Sequence, residues 1–587
     1  MTAGGMDSVG RAAALSGVLI AAGTGLGFAR DLVMAHMFGA SRSTDAFLVA
    51  WTIPETVSPL LIEDAMALLM VPVVTRLLAR GDGLRPLAGS ALPRMVLGLS
   101  LITVTLIAAA PVVVGVLAPG LDESAAAVQC VRLTAITVVT FGVAGFMSAA
   151  LRAHHRFGPP AAIYLAYNVG ILALIAGLSG FIGITSAAVG VACGSLLMIA
   201  VQAPAFARCL RQAPAAAQPA IPHQLAAPPE RGGATSRGRL AARTGPGGDG
   251  VEWRLGVAAV APVVVYTVTR QAQVFVERFL GSELAAGSIS HLNYAQKVAQ
   301  VPMVLSLLIV TVTFPRLARA SADGDTWQVA RRIRQDLVIA STMVLGASAF
   351  LIAFAPTVIR MLFEHGEFTA DDTASTASIM RIYTLGLWGQ SAVGLAARAF
   401  FAQRRPTWRP ARVLCLGLAV TAAIGGAFAA SAGTLALAAA NAAGITLAAV
   451  LLLGGLRRGI APVPPRRIAA DVSRLALAAA GACAAGGITA RAVAGLPPLV
   501  QLAAGGLVTA AAFAVLIVLA GPDLVAPWIA LRSRRSVRGR TESGETSEPA
   551  DRTRTDHRTG EDHRTGPAGG GPADPAGADV PLGRPRR

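Results

Sequence analysis

The residues of this sequence with chemical potential are ionisable and amide side chains set inside long apolar runs. Between positions 44 and 77, Asp45, Thr52, Thr56 and Glu63 recur at spacings of seven, four and seven. That spacing places them in a narrow stripe on one face of a helix, with Asp64 about a quarter-turn away. Tyr266, Arg270, Gln273 and Glu277 share a face in the same way, as do Ser290, Asn293, Lys297 and Gln300. A charged side chain at the centre of a bilayer costs about 2.5–3.5 kcal/mol on insertion scales, so each needs a partner, a watery cavity or a function. Inward-facing stripes of this kind line a polar cavity suited to an amphipathic anionic cargo.

Lys297 is the only lysine in a chain that otherwise uses arginine, and it lies one turn before Pro302. Two readings of it stand: a compact cation that meets a phosphate inside the cavity, or a structural ion pair with a carboxylate of the second helix. Arg30 adjoins Asp31 and either pairs locally or faces the cavity mouth. The candidate binding residues are therefore Arg30, Asp45, Lys297, Arg270, Glu63 and Asn293. The sequence has no Ser/His/Asp set in a shared loop, no phosphate-cradling glycine loop with a lysine and no metal-ligand spacing. The expectation is a non-enzyme with no cofactor and no bound metal. The five cysteines lie in or beside apolar segments without paired spacing and read as small packing residues.

The elements that must hold these stripes are membrane helices. Hydrophobic residues make up 54% of 587 positions and charged residues 14%, which is wrong for a soluble surface. With 63 glycines and only 5% aromatics, packing must run through small residues that let helix backbones approach. The net charge of +18 belongs to loops that hold topology rather than to nucleic-acid binding. About twenty apolar residues cross the hydrocarbon core, and fourteen such runs are expected. In the first half they cover about 11–38, 44–77, 95–117, 125–151, 160–178 and 186–206. In the second they cover about 255–279, 288–314, 337–354, 378–401, 413–430 and 435–453, followed by 475–490 and 499–520.

Loop charge supports the count: Arg76, Arg80, Arg152, Arg156, Arg208, Arg404 and Arg457 follow even-numbered helices, whereas Asp122, Glu123, Glu283, Asp371 and Asp372 lie on the opposite side. Both termini are thus expected in the cytoplasm of a multi-pass plasma-membrane protein. Pro54 and Pro72 in the second helix have counterparts in Pro302 and Pro315 of the eighth, which suggests duplicated halves. The expected fold is an all-α integral membrane protein with two six-helix lobes, related by a pseudo-two-fold along the membrane normal, and two C-terminal helices. Its domains are an N-lobe (1–210), a flexible cytoplasmic linker (211–251), a C-lobe (252–460), a terminal helix pair (461–531) and a disordered tail (532–587).

The run Gly25 to Asp31, Phe38-Gly39-Ala40 leading to Thr44 through Phe47, and Pro54 with Glu63 resemble the MurJ/MviN lipid II flippases of the multidrug/oligosaccharidyl-lipid/polysaccharide exporter superfamily. Leu292 through Ala295 with Pro302, Phe314-Pro315-Arg316, Phe363 through Phe368 and Arg398 through Ala402 extend the resemblance, which covers roughly 11–520. It implies that undecaprenyl-pyrophosphate carrying a disaccharide-pentapeptide is moved from the cytoplasmic to the outer leaflet by alternating access. It further implies functional roles for Arg30, Asp45 and Lys297, a groove for the polyprenyl tail within 475–520, and partners among membrane lipids and the cell-wall synthesis machinery. The sequence departs from the family where Thr24, Ser58 and Pro59 replace arginines and where Glu63-Asp64-Ala65 adds a carboxylate. Family members that bind sodium do so through Asn and Asp on the eleventh helix, and 404–433 holds neither. These departures favour a second reading, an exporter of another lipid-linked saccharide or a cationic small molecule; a third is a transport-inactive paralogue that serves the envelope machinery through its linker and tail.

Overall fold

A computed structural model describes residues 3–63, 65–79, 83–211, 249–322, 326–401, 407–459 and 464–524, and within them the chain is helical with no strand. Most of the linker expected at 211–251 and all of the tail expected at 532–587 lie outside the described residues. The described residues fall within one compact unit. The first half comprises α1 (Ala3–Phe38), α2 (Arg42–Ser58), a π-helical segment (Pro59–Glu63), α3 (Ala65–Ala79), α4 (Leu84–Ala108), α5 (Ala110–Leu117), α6 (Ser124–Thr134), α7 (Ile136–Ala153), α8 (Gly158–Ala161), α9 (Ile163–Ile182) and α10 (Thr185–Arg211). The second half comprises α11 (Asp249–Ser282), α12 (Ser288–Ala322), α13 (Thr326–Ala353), α14 (Ala355–Phe363), α15 (Ala370–Leu385), α16 (Leu387–Phe401) and α17 (Arg409–Gly459). Two helices close the described chain, α18 (Pro465–Ala492) and α19 (Pro498–Ala520).

Among the described residues, ten helical stretches, some of them joining neighbouring elements such as α6 and α7, are long and apolar enough to cross a membrane by length and composition. Protein leaves many apolar side chains uncovered: Leu97, Leu101, Val112, Leu477, Leu507 and Leu519 are all exposed. Rows of exposed large apolar side chains are unsustainable in water and ordinary in hydrocarbon. Some expected helices are interrupted within their span, as 95–117 is between α4 and α5 and 125–151 between α6 and α7. Gly433, at φ +60°, breaks α17 into two legs between the runs expected at 413–430 and 435–453. Proline near the start of α5 and of α14 marks further breaks, because a ring nitrogen there gives up only a bond the first turn cannot make.

The kink expected at Pro54 has an identifiable repair. Proline at 54 cannot donate to the carbonyl of Ala50, and the Thr134 hydroxyl of α6 donates to that oxygen instead at 3.2 Å. Small residues bring helices together as the composition requires: a Cβ on Gly194 would lie 2.6 Å from the Tyr167 carbonyl, and one on Gly170 2.9 Å from Gly194 Cα. Glycine there lets α9 and α10 pack backbone to backbone. The packed apolar clusters fall mainly within one half or the other, around Phe47, Phe141 and Ile171 in the first and around Leu395, Leu452, Phe354 and Phe363 in the second.

Candidate functional site: the faces between the halves

At one end of the bundle the halves meet through backbone. Asp45, buried in the first turns of α2, accepts from the backbone N–H of Gly287 at 2.8 Å, from that of Ser290 at 2.8 Å and from the Ser290 hydroxyl at 2.5 Å. These N–H groups begin α12, where no intrahelical acceptor exists and the helix dipole favours an anion. Asp45 therefore caps a helix of the opposite half, and its carboxylate acts as a latch rather than as a group presented to a ligand. Around it, the Glu367 N–H donates to the His36 carbonyl at 2.9 Å. Gly287 and Gly366 adopt φ +85° and +65°. A Cβ at the first would collide with the Ala40 carbonyl and at the second with that of His36. Only glycine tolerates both the left-handed backbone and such an approach. His291 and Asp372 pair at 2.9 Å beside this closure.

Asp372 stands in the first turn of α15, ahead of the expected span, and the Thr369 N–H and hydroxyl also donate to it, each at 2.9 Å. Burial alone would raise its carboxyl. The bonds from the His291 ring and from Thr369 outweigh burial and hold the group below its usual value.

Deeper in the bundle, the polar stripes approach one another. Lys297 Nζ of α12 lies 3.5 Å from Glu55 Oε1 of α2, with 28% and 21% of the two side chains exposed. Gln271 Nε2 of α11 donates to the Glu55 carbonyl at 2.6 Å. The ion-pair reading of Lys297 thus describes its resting contact, and the partner is a second-helix carboxylate. Glu63 is exposed at the end of the π segment, where the Tyr164 hydroxyl donates to it at 2.7 Å and lies 2.9 Å from Ser58 Oγ. Arg270 is exposed, and among the described residues no ion pair engages it.

Two candidate residues occupy positions different from the expected ligand role. Arg30 is buried, bonded through Nε and Nη2 to Asp31 Oδ1 at 3.1 and 2.7 Å, with its guanidinium 4.0 Å from the Trp51 ring centroid. It makes the local pair allowed for it and is not offered to the cleft. Asn293 is buried and accepts from Arg278 Nη2 at 3.4 Å, so it braces α11 against α12. The stripe of Tyr266, Arg270, Gln273 and Glu277 also divides: Glu277 is buried and accepts from Gln273 and from Asn441 of α17, whose amide also reaches the Tyr383 hydroxyl at 2.8 Å. Sequence reasoning missed Glu55, Arg278 and Asn441 as partners. The available signal for Glu55 was a carboxylate directly after a mid-span proline. Among the described residues no group of three His, Cys, Asp or Glu side chains is placed to hold a metal.

A separate apolar groove of about 520 Å³ runs between α13 and α19, lined by Met343, Gly346, Phe350, Gly506, Phe513 and Ile517. Its walls come from α13 and α19, and α19 lies within the stretch 475–520.

Comparison with known proteins places the architecture. The family described as lipid II flippase MurJ matches residues 34–496. A lipid II flippase MurJ of Burkholderia cenocepacia is 25% identical over 387 residues, 64% of this chain and 70% of that protein. A probable lipid II flippase MurJ of Rhizobium meliloti is 26% identical over 374 residues, 62% of this chain and 64% of that protein. Among solved structures, a lipid II flippase MurJ in an inward closed conformation superposes with TM-score 0.67 at 18% identity, covering 87% of this chain and 99% of that one. The fold is the same, and with the match across most of the sequence the chain belongs to the lipid II flippase MurJ family.

Proposed function

We propose that this protein is a flippase that carries undecaprenyl-pyrophosphate-linked peptidoglycan precursor, lipid II, from the inner to the outer leaflet of the plasma membrane. The family match over residues 34–496 carries the reading. The two halves act as lobes, 1–210 and 252–460, that rock about the polar cleft. The loop-charge bias orients the Asp45 end outward and both termini toward the cytoplasm. In this state the outer end is latched by Asp45 on α12, and the head group enters the cleft from the cytoplasmic side. A pyrophosphate cannot cross hydrocarbon unaccompanied; Lys297 and Arg270 supply point charge and fork-shaped donors for it. The polyprenyl chain stays in the apolar phase, and the groove between α13 and α19 is the surface that suits it. Closure of the inner end with rupture of the Asp45 latch then exposes the head group outside. The work is binding and conformational exchange, with no bond made or broken.

The test is reconstitution into sealed vesicles with lipid II, read by an enzyme that modifies only outward-facing head groups. Modification is expected to pass the fraction accessible at the start, and Lys297→Ala to abolish that gain with the protein still inserted. A time course identical to protein-free vesicles would sink the reading.

A further inference from the structure

Glu55 is held to the opposite half twice, through its carbonyl to Gln271 and through Oε1 to Lys297. The two bonds differ in quality. The carbonyl bond is short at 2.6 Å, whereas the ion pair is loose at 3.5 Å and still partly exposed to the cleft. The second carboxylate oxygen, Oε2, is buried without a hydrogen-bond partner among the described residues. A buried acceptor left unpaired raises the free energy of the state that contains it, so this ion pair is poised for exchange. Its depth suits the same role. Glu55 lies ten residues beyond Asp45 along α2, and Lys297 seven beyond Ser290 along α12. At 1.5 Å per residue, the pair sits about 10–15 Å inward of the latched end. The charge that most resembles the Glu55 carboxylate, and exceeds it, is a phosphate.

We propose that Glu55 is an internal stand-in for the cargo's anionic group: it occupies Lys297 and ties the halves while the cleft is empty, and the phosphate of a lipid-linked head group displaces it. This specificity role rests on the lipid-linked anion being the cargo. A neutral or cationic lipid has no charge with which to release Lys297, so the exchange admits polyanionic head groups and holds the empty carrier closed.

The experiment uses the full chain in lipid nanodiscs, titrated with undecaprenyl pyrophosphate, with wild type, E55Q, K297Q and E55Q/K297Q compared. E55Q is expected to bind the probe about two- to fivefold tighter, the range set by a partly exposed ion pair. In the K297Q background the same substitution should change affinity by less than the measurement error. Spin labels, one on each half, should report broader separations in empty E55Q than in empty wild type. The swap E55K/K297E should recover the wild-type distribution while binding the probe more weakly, an outcome that a merely structural role does not produce. Wild-type binding with unchanged or weaker binding by E55Q overturns the exchange and leaves the cargo assignment standing. Absence of any probe binding by the wild type overturns the cargo assignment, and the exchange with it.

Discussion

Asp45 shows how one side chain links two halves of a chain. Three donors from one helix start converge on its carboxylate, and charge-assisted bonds of this kind are worth roughly 1.5–3 kcal/mol each. Asp45→Asn keeps the shape, loses the charge and turns an N–H₂ toward donors. It should shift the latched end toward opening, seen as faster labelling of a cysteine placed at position 40, with insertion unaffected. Asp372 makes a prediction about pH. Because its native carboxyl is held below the ordinary value, its contribution is fully present above that ordinary value, about 3.9, and is lost as pH falls through the lower native one. Asp372→Asn should therefore lower the melting temperature at pH 7, with the gap to wild type closing below about pH 4. A gap that instead widened on acidification would show that the carboxyl is raised. Asp45 was legible as a functional face residue but not as a cap, since periodicity tells which side of a helix a group occupies and nothing about a partner 242 residues away. For the same reason Lys297 was legible only as two alternatives, with the identity of Glu55 hidden.

Helix existence followed from apolar run length, and helix ends did not. α1, α13 and α18 start well before positions 11, 337 and 475, because a helix continues into polar residues once past the hydrocarbon and hydropathy stops marking it. Of the internal breaks, those at prolines and the one at Gly433, which falls between two expected runs, were legible, and the rest are set by neighbours. Pro54 illustrates the dependence. Its missing donor is supplied by Thr134 on α6, so the kink and the packing partner belong to one element pair. Thr134→Val should cost about 1–3 kcal/mol by leaving the Ala50 carbonyl unpaired in the packed core, observed as a fall of several degrees in detergent melting. Pro54→Ala restores the helical donor. In that background Thr134→Val should cost markedly less, and additive losses would show that the threonine has another role.

At the scale of the whole molecule, the latched end is closed by main chain. Glu367 N–H to His36 carbonyl, and the Asp45 bonds to Gly287 and Ser290, join loops and helix starts that lie hundreds of residues apart. A closure built from backbone leaves no room for side chains and so depends on the residues without them. Gly366 combines a left-handed φ with a carbonyl of the opposite half where a Cβ would sit, and the left-handed conformation alone costs an alanine about 1–2 kcal/mol. Gly366→Ala should thus prevent the two halves from meeting at this end while each half keeps its own packed cluster. The expected readout is a longer spin-label separation across the latched end, loss of lipid II translocation, and near-normal melting of the protein. Gly426→Ala is the control, because nothing lies within 4 Å of its Cβ position and alanine favours the helix; it should leave separation and translocation unchanged. If Gly366→Ala kept the wild-type separation, the closure would have to be held by the Asp45 bonds alone, and the backbone contacts would be incidental to it.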